Sequence, residues 1–377
     1  MEKRHTLVDN AAEKRYELDL GDGMALAEYV LGHGLIVLTH TEVPPKYEGR
    51  GIGKELVQGV LEDIRRKKLK VVPQCPFVAT YIRRHPEWMD LVLTAVLANG
   101  HVLIEGVPGV AKTLLARLVA RLVDADFSRI QFTPDLMPSD VLGTTVFNMK
   151  TNDFDFHRGP IFADIVLVDE INRAPAKTQA ALFEVMEERQ VSIDGATYPM
   201  GELYTILATQ NPVEQEGTYK LPEAQLDRFL MKLTMDYPSL DEEVNILERH
   251  HTNAAFVKLE DITPAITKEE LLSLRNLMKQ VFIDRTLLQY IALIVQQTRT
   301  SKAVYLGASP RASVAMLQTS KAYALLQGRD FVTPEDIKFV APYVLQHRLI
   351  LTAEAEMEGY SPVKVTQRLI DKVEVPK

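Results

Sequence analysis

Gly106-Val107-Pro108-Gly109-Val110-Ala111-Lys112-Thr113 is a glycine-rich turn that ends in Lys-Thr, and its setting decides the fold. The apolar run Val102-Leu103-Ile104 precedes it, and Leu114, Leu115, Leu118, Val119 and Leu122 follow at helical spacing. The turn therefore joins a strand to a helix, which is the setting a phosphate-binding loop requires. Glycines let successive backbone N–H groups turn inward around phosphate oxygens, and the helix N-terminus adds the positive end of its dipole. Lys112 can then reach the outer phosphates of a nucleotide, and Thr113 can hold Mg²⁺. The general pattern carries a second glycine where this chain has Ala111. Glycine-rich strand-to-helix turns also arise for purely structural reasons, so further parts of a nucleotide machine are needed.

Those parts follow in order. Ala163-Asp164-Ile165-Val166-Leu167-Val168-Asp169-Glu170 reads as a buried parallel strand that delivers two carboxylates at its C-terminal end. Asp169 can hold Mg²⁺ through water, and Glu170 can orient or deprotonate the attacking water, because hydrolysis of a phosphoanhydride needs both metal and nucleophile placed. An isolated strand-end Asp-Glu is ordinarily a turn or a solvated cap. Here it follows the phosphate loop at a spacing that allows an intervening strand. Thr205 to Gln210 forms another strand and ends at Asn211, a neutral polar residue suited to bonding water or the terminal phosphate. In Leu221-Pro222-Glu223-Ala224-Gln225-Leu226-Asp227-Arg228-Phe229, Arg228 can act as an arginine finger; its plain structural reading is a surface ion pair with Asp227.

The 377 residues suffice for two or three domains, and 46% hydrophobic with 25% charged residues is an ordinary globular composition. A net charge of −8 and the lack of an aromatic-basic motif argue against a nucleic-acid motor. No stretch approaches the roughly 20 apolar residues of a membrane helix, and no signal-peptide core follows Met1. Cys75 is the single cysteine, which suits a reducing cytoplasm and excludes an internal disulfide framework.

Beyond residue 240 the pattern is helical. Thr267-Lys268-Glu269-Glu270 is a capping box, while Thr333-Pro334-Glu335-Asp336 and Ser361-Pro362 open further helices. Gly307-Ala308-Ser309-Pro310-Arg311 delivers an arginine to a helix start. Two hairpins are expected: Val146-Phe147-Asn148 with Phe154-Asp155-Phe156, and Val191-Ser192-Ile193 with Thr197-Tyr198 around the Asp194-Gly195 turn.

The first ninety residues differ. Strand-like runs Arg15 to Leu20, Ala25 to Leu31 and Leu35 to Val43 are separated by Gly21-Asp22-Gly23 and Gly32-His33-Gly34, as in hairpins. Glu48-Gly49-Arg50-Gly51-Ile52-Gly53 then precedes a helix, a second possible phosphate-binding turn but one without Lys-Ser/Thr. Glu42 can serve as a general base and Tyr81 as an acid, against which Tyr81 and Cys75 also read as simple core residues.

The segment from about 91 onward resembles the MoxR branch of AAA+ ATPases. The residues that carry this are the turn, Asp169-Glu170, Gln131-Phe132-Thr133-Pro134-Asp135-Leu136-Met137-Pro138-Ser139-Asp140, His157-Arg158-Gly159-Pro160-Ile161-Phe162 and Ile171-Asn172-Arg173-Ala174-Pro175. Ala111 before Lys112 is usual in that branch. The resemblance implies a Walker A loop at Gly106 to Thr113, Walker B at Asp169 and Glu170, and sensor 1 at Asn211. It further implies a finger at Arg228 acting on a neighbouring subunit, sensor 2 at Arg311, ATP with Mg²⁺, and a ring that is usually hexameric. The family's inserted hairpins lie on a ring face or pore, where they could touch a client or only complete subunit packing. Partners with a von Willebrand factor A domain are common in it. A helical segment with a Val-Gly-Gln-like motif, which closes over adenine in the family, is not found before Leu91.

Residues 1 to about 90 resemble a small GNAT acetyltransferase. The match runs through Thr41-Glu42-Val43-Pro44, Gly49-Arg50-Gly51-Ile52-Gly53, Val72-Pro73-Gln74-Cys75-Pro76-Phe77 and Tyr81-Ile82-Arg83-Arg84-His85-Pro86. That resemblance implies acetyl-CoA held by Arg50, Gly51 and Gly53. Glu48 stands where many members carry Arg or Gln. The expected architecture is therefore a GNAT-like α+β domain over 1–90, a parallel-sheet α/β nucleotide core over 91–240 and a helical lid over 241–377. The expected function is a cytoplasmic ATPase that remodels partner proteins. The alternative is an acetyltransferase whose ATPase-like part is an oligomerising scaffold without turnover.

Overall fold

The computed structural model describes residues 7–11, 13, 15–20, 23–32, 35–42, 44, 46, 70–72, 86–106, 112–211, 219, 221–235, 237, 240, 243–244, 247 and 262–376. The chain divides into two compact units, one of residues 1–84, 121–124 and 240–266, the other of 85–120, 125–239 and 267–377.

In the first unit, β1 (Leu7–Asn10), β2 (Arg15–Asp19), β3 (Met24–Gly32), β4 (Leu35–Glu42) and β5 (Lys70–Val72) form one sheet in chain order. The first four strands run antiparallel, and β5 pairs parallel with β4 from Leu35↔Lys70 to Val37↔Val72. Glycine-bearing turns make the meander possible: the Leu20 N–H closes on the Gly23 carbonyl at 2.9 Å between β2 and β3. Tyr16, Leu18 and Ala25 are buried. This small, mostly antiparallel sheet is consistent with the GNAT-like architecture expected for the segment. Arg50, Gly51, Gly53, Cys75 and Tyr81 lie outside the described residues, as does the helix expected after Gly53.

The second unit opens with α1 (Pro86–Leu97), then β6 (Val102–Gly106), α2 (Lys112–Leu122) and β7 (Phe127–Gln131). Next come α3 (Pro138–Leu142), the hairpin β8 (Gly143–Asn148) with β9 (Asp153–Arg158), then β10 (Ile165–Asp169) and α4 (Ala176–Glu188). A second hairpin, β11 (Gln190–Ile193) with β12 (Ala196–Pro199), leads to β13 (Thr205–Gln210), α5 (Glu223–Leu226) and β14 (Met231–Met235). The five long strands make a parallel sheet ordered β14-β6-β13-β10-β7. Residues of β10 and β13 are buried almost throughout, which explains their unbroken Val/Ile/Leu runs. Leu103, Val166, Ile206, Phe183 and Phe229 belong to one core cluster on this sheet.

Both hairpins form where the sequence placed them. Asp194 (φ 51°) and Gly195 (φ 79°) are both left-handed, the geometry a two-residue hairpin turn demands. The β8–β9 tip leaves Phe147, Met149 and Phe154 exposed, with the two phenylalanine rings edge to face at 5.2 Å.

The lid comprises α6 (Lys268–Gln280), α7 (Arg285–Thr300), α8 (Pro310–Leu326), α9 (Pro334–Leu345), α10 (Ala353–Met357) and α11 (Pro362–Lys372), with a small pair β15 (Val304–Leu306) and β16 (Ile350–Leu351). Helix starts fall on the predicted caps. Thr267 Oγ accepts the Glu270 N–H at 3.2 Å while Glu270 accepts the Thr267 N–H at 2.7 Å, and Thr333 with Asp336 repeats the box.

His101, at the start of β6, ties three elements together. Its Nδ1 accepts the Ile206 N–H at 2.9 Å, so Nε2 carries the proton and donates to the Met186 carbonyl at 3.1 Å.

Candidate functional site

The strand order brings distant sequence segments to one edge. Because β13 lies between β6 and β10, the carboxyl ends of these three strands present Gly106, Gln210-Asn211 and Asp169 side by side. This is the crevice in which open parallel sheets bind ligands. Lys112 and Thr113 occupy the first turn of α2, whose N-terminus faces out from the end of β6. Val107, Pro108, Gly109, Val110 and Ala111 lie outside the described residues.

Around Asp169 the contacts are dense. Its Oδ2 receives Thr113 Oγ at 3.5 Å and Arg129 Nε at 2.6 Å, while Oδ1 receives Thr209 Oγ at 3.1 Å. Lys112 Nζ donates to the Gly106 carbonyl. Burial pushes the Lys112 ammonium below its ordinary pKa, and the carboxylates of Asp169, Glu170 and Glu105 oppose that shift. An ammonium, a hydroxyl and a carboxylate thus meet at a helix N-terminus. Hard oxygen donors beside a helix N-terminus fit Mg²⁺, which keeps several waters and takes one or two protein oxygens with substrate phosphates.

Glu170 departs from the strand sequence reasoning gave it. It leaves β10 in the left-handed region, φ 56° and ψ 51°, and starts the short 3₁₀ turn Ile171–Arg173. A non-glycine residue there costs of order 1 kcal/mol, and such backbones cluster at functional sites. Its N–H is held by Thr209 Oγ at 3.0 Å, and its carboxylate accepts Gln131 Nε2 at 2.9 Å and pairs with Arg173 Nε at 3.1 Å. The carboxylate is therefore aimed by partners from β7, β13 and the turn itself.

Arg228 and Arg311 converge on a residue that sequence reasoning missed. Glu187, near the end of α4, receives Arg228 Nη2 on Oε2 at 2.7 Å and Arg311 Nη2 on Oε1 at 2.8 Å. The hydrogen bond from Arg311, then the charge of Arg228, holds the Glu187 carboxyl below its usual range. Arg228 also lies over the Phe183 ring at 5.9 Å. The simple pairing of Arg228 with Asp227 is not what the fold makes: Asp227 is taken by Arg348 and by Ser309. Asn211 is partly buried at the end of β13. Arg129, Thr209, Gln131, Arg173 and Glu187 are the site residues that motif reading did not assign, although Thr209, Gln131 and Arg173 sit inside stretches it singled out.

Comparison with known proteins accords with this geometry. The family model described as "ATPase family associated with various cellular activities (AAA)" matches residues 101–231, and that of the AAA lid domain matches 296–371. The YeaC protein of Bacillus subtilis is 49% identical over 289 residues, covering 76% of this chain and 88% of that protein. The chaperone MoxR1 of Mycobacterium tuberculosis is 44% identical over 303 residues, 77% of this chain and 78% of its own. Protein MoxR of Methylorubrum extorquens is 31% identical over 295 residues, 71% of this chain and 83% of its own. This chain belongs to the MoxR family of AAA ATPases. A crystal structure from Cytophaga hutchinsonii described as an ATPase superposes with a TM-score of 0.71 at 42% identity, covering 78% of this chain and 90% of that one. Membership of the MoxR family implies the use of ATP and Mg²⁺ and the hydrolysis of ATP. A model of GCN5-related N-acetyl-transferases matches residues 15–91, outside the MoxR-like part. No helix among the described residues is long and apolar enough to cross a membrane.

Proposed function

We propose that this chain is an ATP-driven machine that remodels or helps assemble partner proteins, working in the cytoplasm as a ring of identical subunits, most simply a hexamer. Residues 91–240 form its nucleotide core, 241–377 its lid and 1–90 an added GNAT-like module. In the core, Gly106 to Thr113 cradle the phosphates and Lys112 balances their charge. Thr113 and Asp169 hold Mg²⁺, and Glu170 activates water for attack on the terminal phosphoryl group. Asn211 steadies that water or phosphate, Arg311 reads the nucleotide from the lid, and Arg228 serves the site of the adjacent subunit. The reading rests on the meeting of Lys112, Thr113, Asp169 and Glu170 at the ends of neighbouring strands. The name chaperone carried by the Mycobacterium tuberculosis relative supports a protein client. A partner with a von Willebrand factor A domain is the client class we expect, with the two exposed hairpins as the surfaces that meet it.

The test is ATP turnover by the full-length chain beside Lys112→Ala and Glu170→Gln. Turnover lost in both, with ATP still bound by Glu170→Gln, is the expected result. Turnover equal in all three overturns the assignment.

The family-model match over 15–91 and the parallel pairing of β4 with β5 favour a second activity for the amino-terminal unit, binding of acetyl-CoA through Arg50, Gly51 and Gly53. Acetyl-CoA should then protect that unit from heat or proteolysis. No protection at saturating acetyl-CoA removes this reading.

A further inference from the structure

At the amino ends of β6 and β13, on the opposite side of the sheet from the candidate nucleotide site, lies a cavity of about 780 Å³. Its floor is the turn after α1 and the loop before β13, and its walls are α6 and α8 of the lid. Two guanidiniums reach into it. Arg275, 7% exposed, donates from Nε and Nη2 to the Val96 carbonyl at 3.1 and 2.7 Å and from Nη1 to the Glu202 carbonyl. Arg189 donates to the carbonyls of Tyr204 and Asn99. Neither has a carboxylate at ion-pair distance among the described residues, although buried arginines are ordinarily paired. Burial above all, and then the charge of Arg189, pushes Arg275 down to about 10. The two cations therefore feel each other in a poorly solvated place.

Lys279 and Lys321 stand at the mouth of the same cavity. Lys279 donates to Asn276 Oδ1 at 3.1 Å and Lys321 to the Lys279 carbonyl at 3.2 Å, again without a carboxylate partner among the described residues. Glu202 is the one carboxylate among the lining residues. Four cations against one anion leave the cavity with an excess of three positive charges. The uncharged lining is mixed: Asn99, Asn276 and Gln318 are polar, while Leu272 and Leu317 on the two helices form an apolar wall. Such a combination of apolar wall and convergent charge, at a volume within the usual ~300–1,000 Å³ of small-molecule sites, is that of a ligand pocket.

We propose that this cavity binds a small organic phosphate, its phosphate groups on Arg189, Arg275, Lys279 and Lys321 and its apolar part against Leu272 and Leu317. Multiply charged phosphate matches the excess of three charges, and guanidinium with ammonium is the donor set that recognises it. The ligand spans the base of the core and the lid, so its presence fixes α6 and α8 against the sheet. This site is independent of the ATP site, and the proposal stands whether or not the chain turns over ATP.

Inorganic pyrophosphate serves as the probe, titrated calorimetrically into the full-length chain carrying Lys112→Ala, which disables the phosphate loop. One binding event should be seen. It should weaken at least tenfold when Lys279→Glu and Lys321→Glu are added at the exposed rim, where folding is not at stake. Lys364→Glu with Lys372→Glu, on the surface of α11, changes net charge equally and should leave binding intact. Absence of binding in the Lys112→Ala chain, or equal weakening by both pairs of substitutions, overturns the proposal.

Discussion

Arg348 donates from Nε to Asp227 Oδ1 at 2.6 Å, and its other nitrogens reach the carbonyls of Asp227, Phe229 and Leu230 at 3.2, 2.7 and 3.2 Å. Those groups bracket Arg228, so a lid residue, only 4% exposed, fixes the backbone from which Arg228 extends. Replacing Arg348 by Met removes all of these bonds, leaving the Asp227 carboxylate with Ser309 alone and the Phe229 carbonyl with His347 Nε2 alone. The expected cost is about 3 kcal/mol, read as a lower urea midpoint, together with slower ATP turnover. Lysine in its place should not rescue, because one ammonium cannot span a carboxylate and several carbonyls. An unchanged midpoint would show the network to be incidental.

Thr209 bridges the two carboxylate residues at the end of β10, donating to Asp169 and accepting from the Glu170 N–H. Thr209→Val keeps the shape and removes both bonds. Turnover should fall by ten- to a hundredfold while ATP affinity changes less than threefold, since the left-handed backbone of Glu170 loses its support. Equal losses in rate and affinity would speak for general misfolding of the strand end.

Glu187 occupies Arg228 and Arg311 at once. The Arg311 side chain is 61% exposed, so the ion pairs add little to stability, and Glu187→Gln should shift the melting temperature by no more than a degree or two. Freed from Glu187, Arg311 becomes available to nucleotide, and the KM for ATP should fall. A KM that rises would mean that Glu187 orients Arg311 toward the nucleotide and does not compete with it.

His101 is held neutral, its pKa pushed to about 3 by burial first and by the charge of Arg189 second. The unfolded chain titrates near 6.5, so below that pH it takes up a proton that the folded state refuses. Stability is then full above pH 6.5 and falls as pH drops from 6.5 toward 3, by about 1.4 kcal/mol at one unit below the unfolded value. Thermal melts at pH 7.5 and 5.5 measure this, and His101→Gln should flatten the difference by that amount.

Much of this was legible in the sequence. The turn at Gly106 to Thr113 and the capping residues Thr267, Thr333 and Ser361 are local signals, because glycine content and a side-chain oxygen at a helix start act over a few residues. Asp194-Gly195 fixed its own hairpin for the same reason. Partnerships between remote segments carry no such signature. Arg129 meets Asp169 across 40 positions and Arg348 meets Asp227 across 121, and neither arginine lies in a recognisable motif. The left-handed backbone of Glu170 was equally hidden, since glutamate is not a residue whose type announces that conformation. Chain order alone also does not tell that β13 lies between β6 and β10, the arrangement that assembles the site.

The tip of the β8–β9 hairpin has a consequence for redox chemistry. Met149 is 90% exposed there, whereas Met186, Met231 and Met316 are buried. Mild peroxide reaches Met149, as it does the exposed Met137 and Met357, and converts the thioether to a polar sulfoxide, while the core methionines stay reduced. The apolar tip, Phe147 and Phe154 apart, can thus be made more polar by oxidation and restored by a sulfoxide reductase, with the folded sheet beneath it untouched.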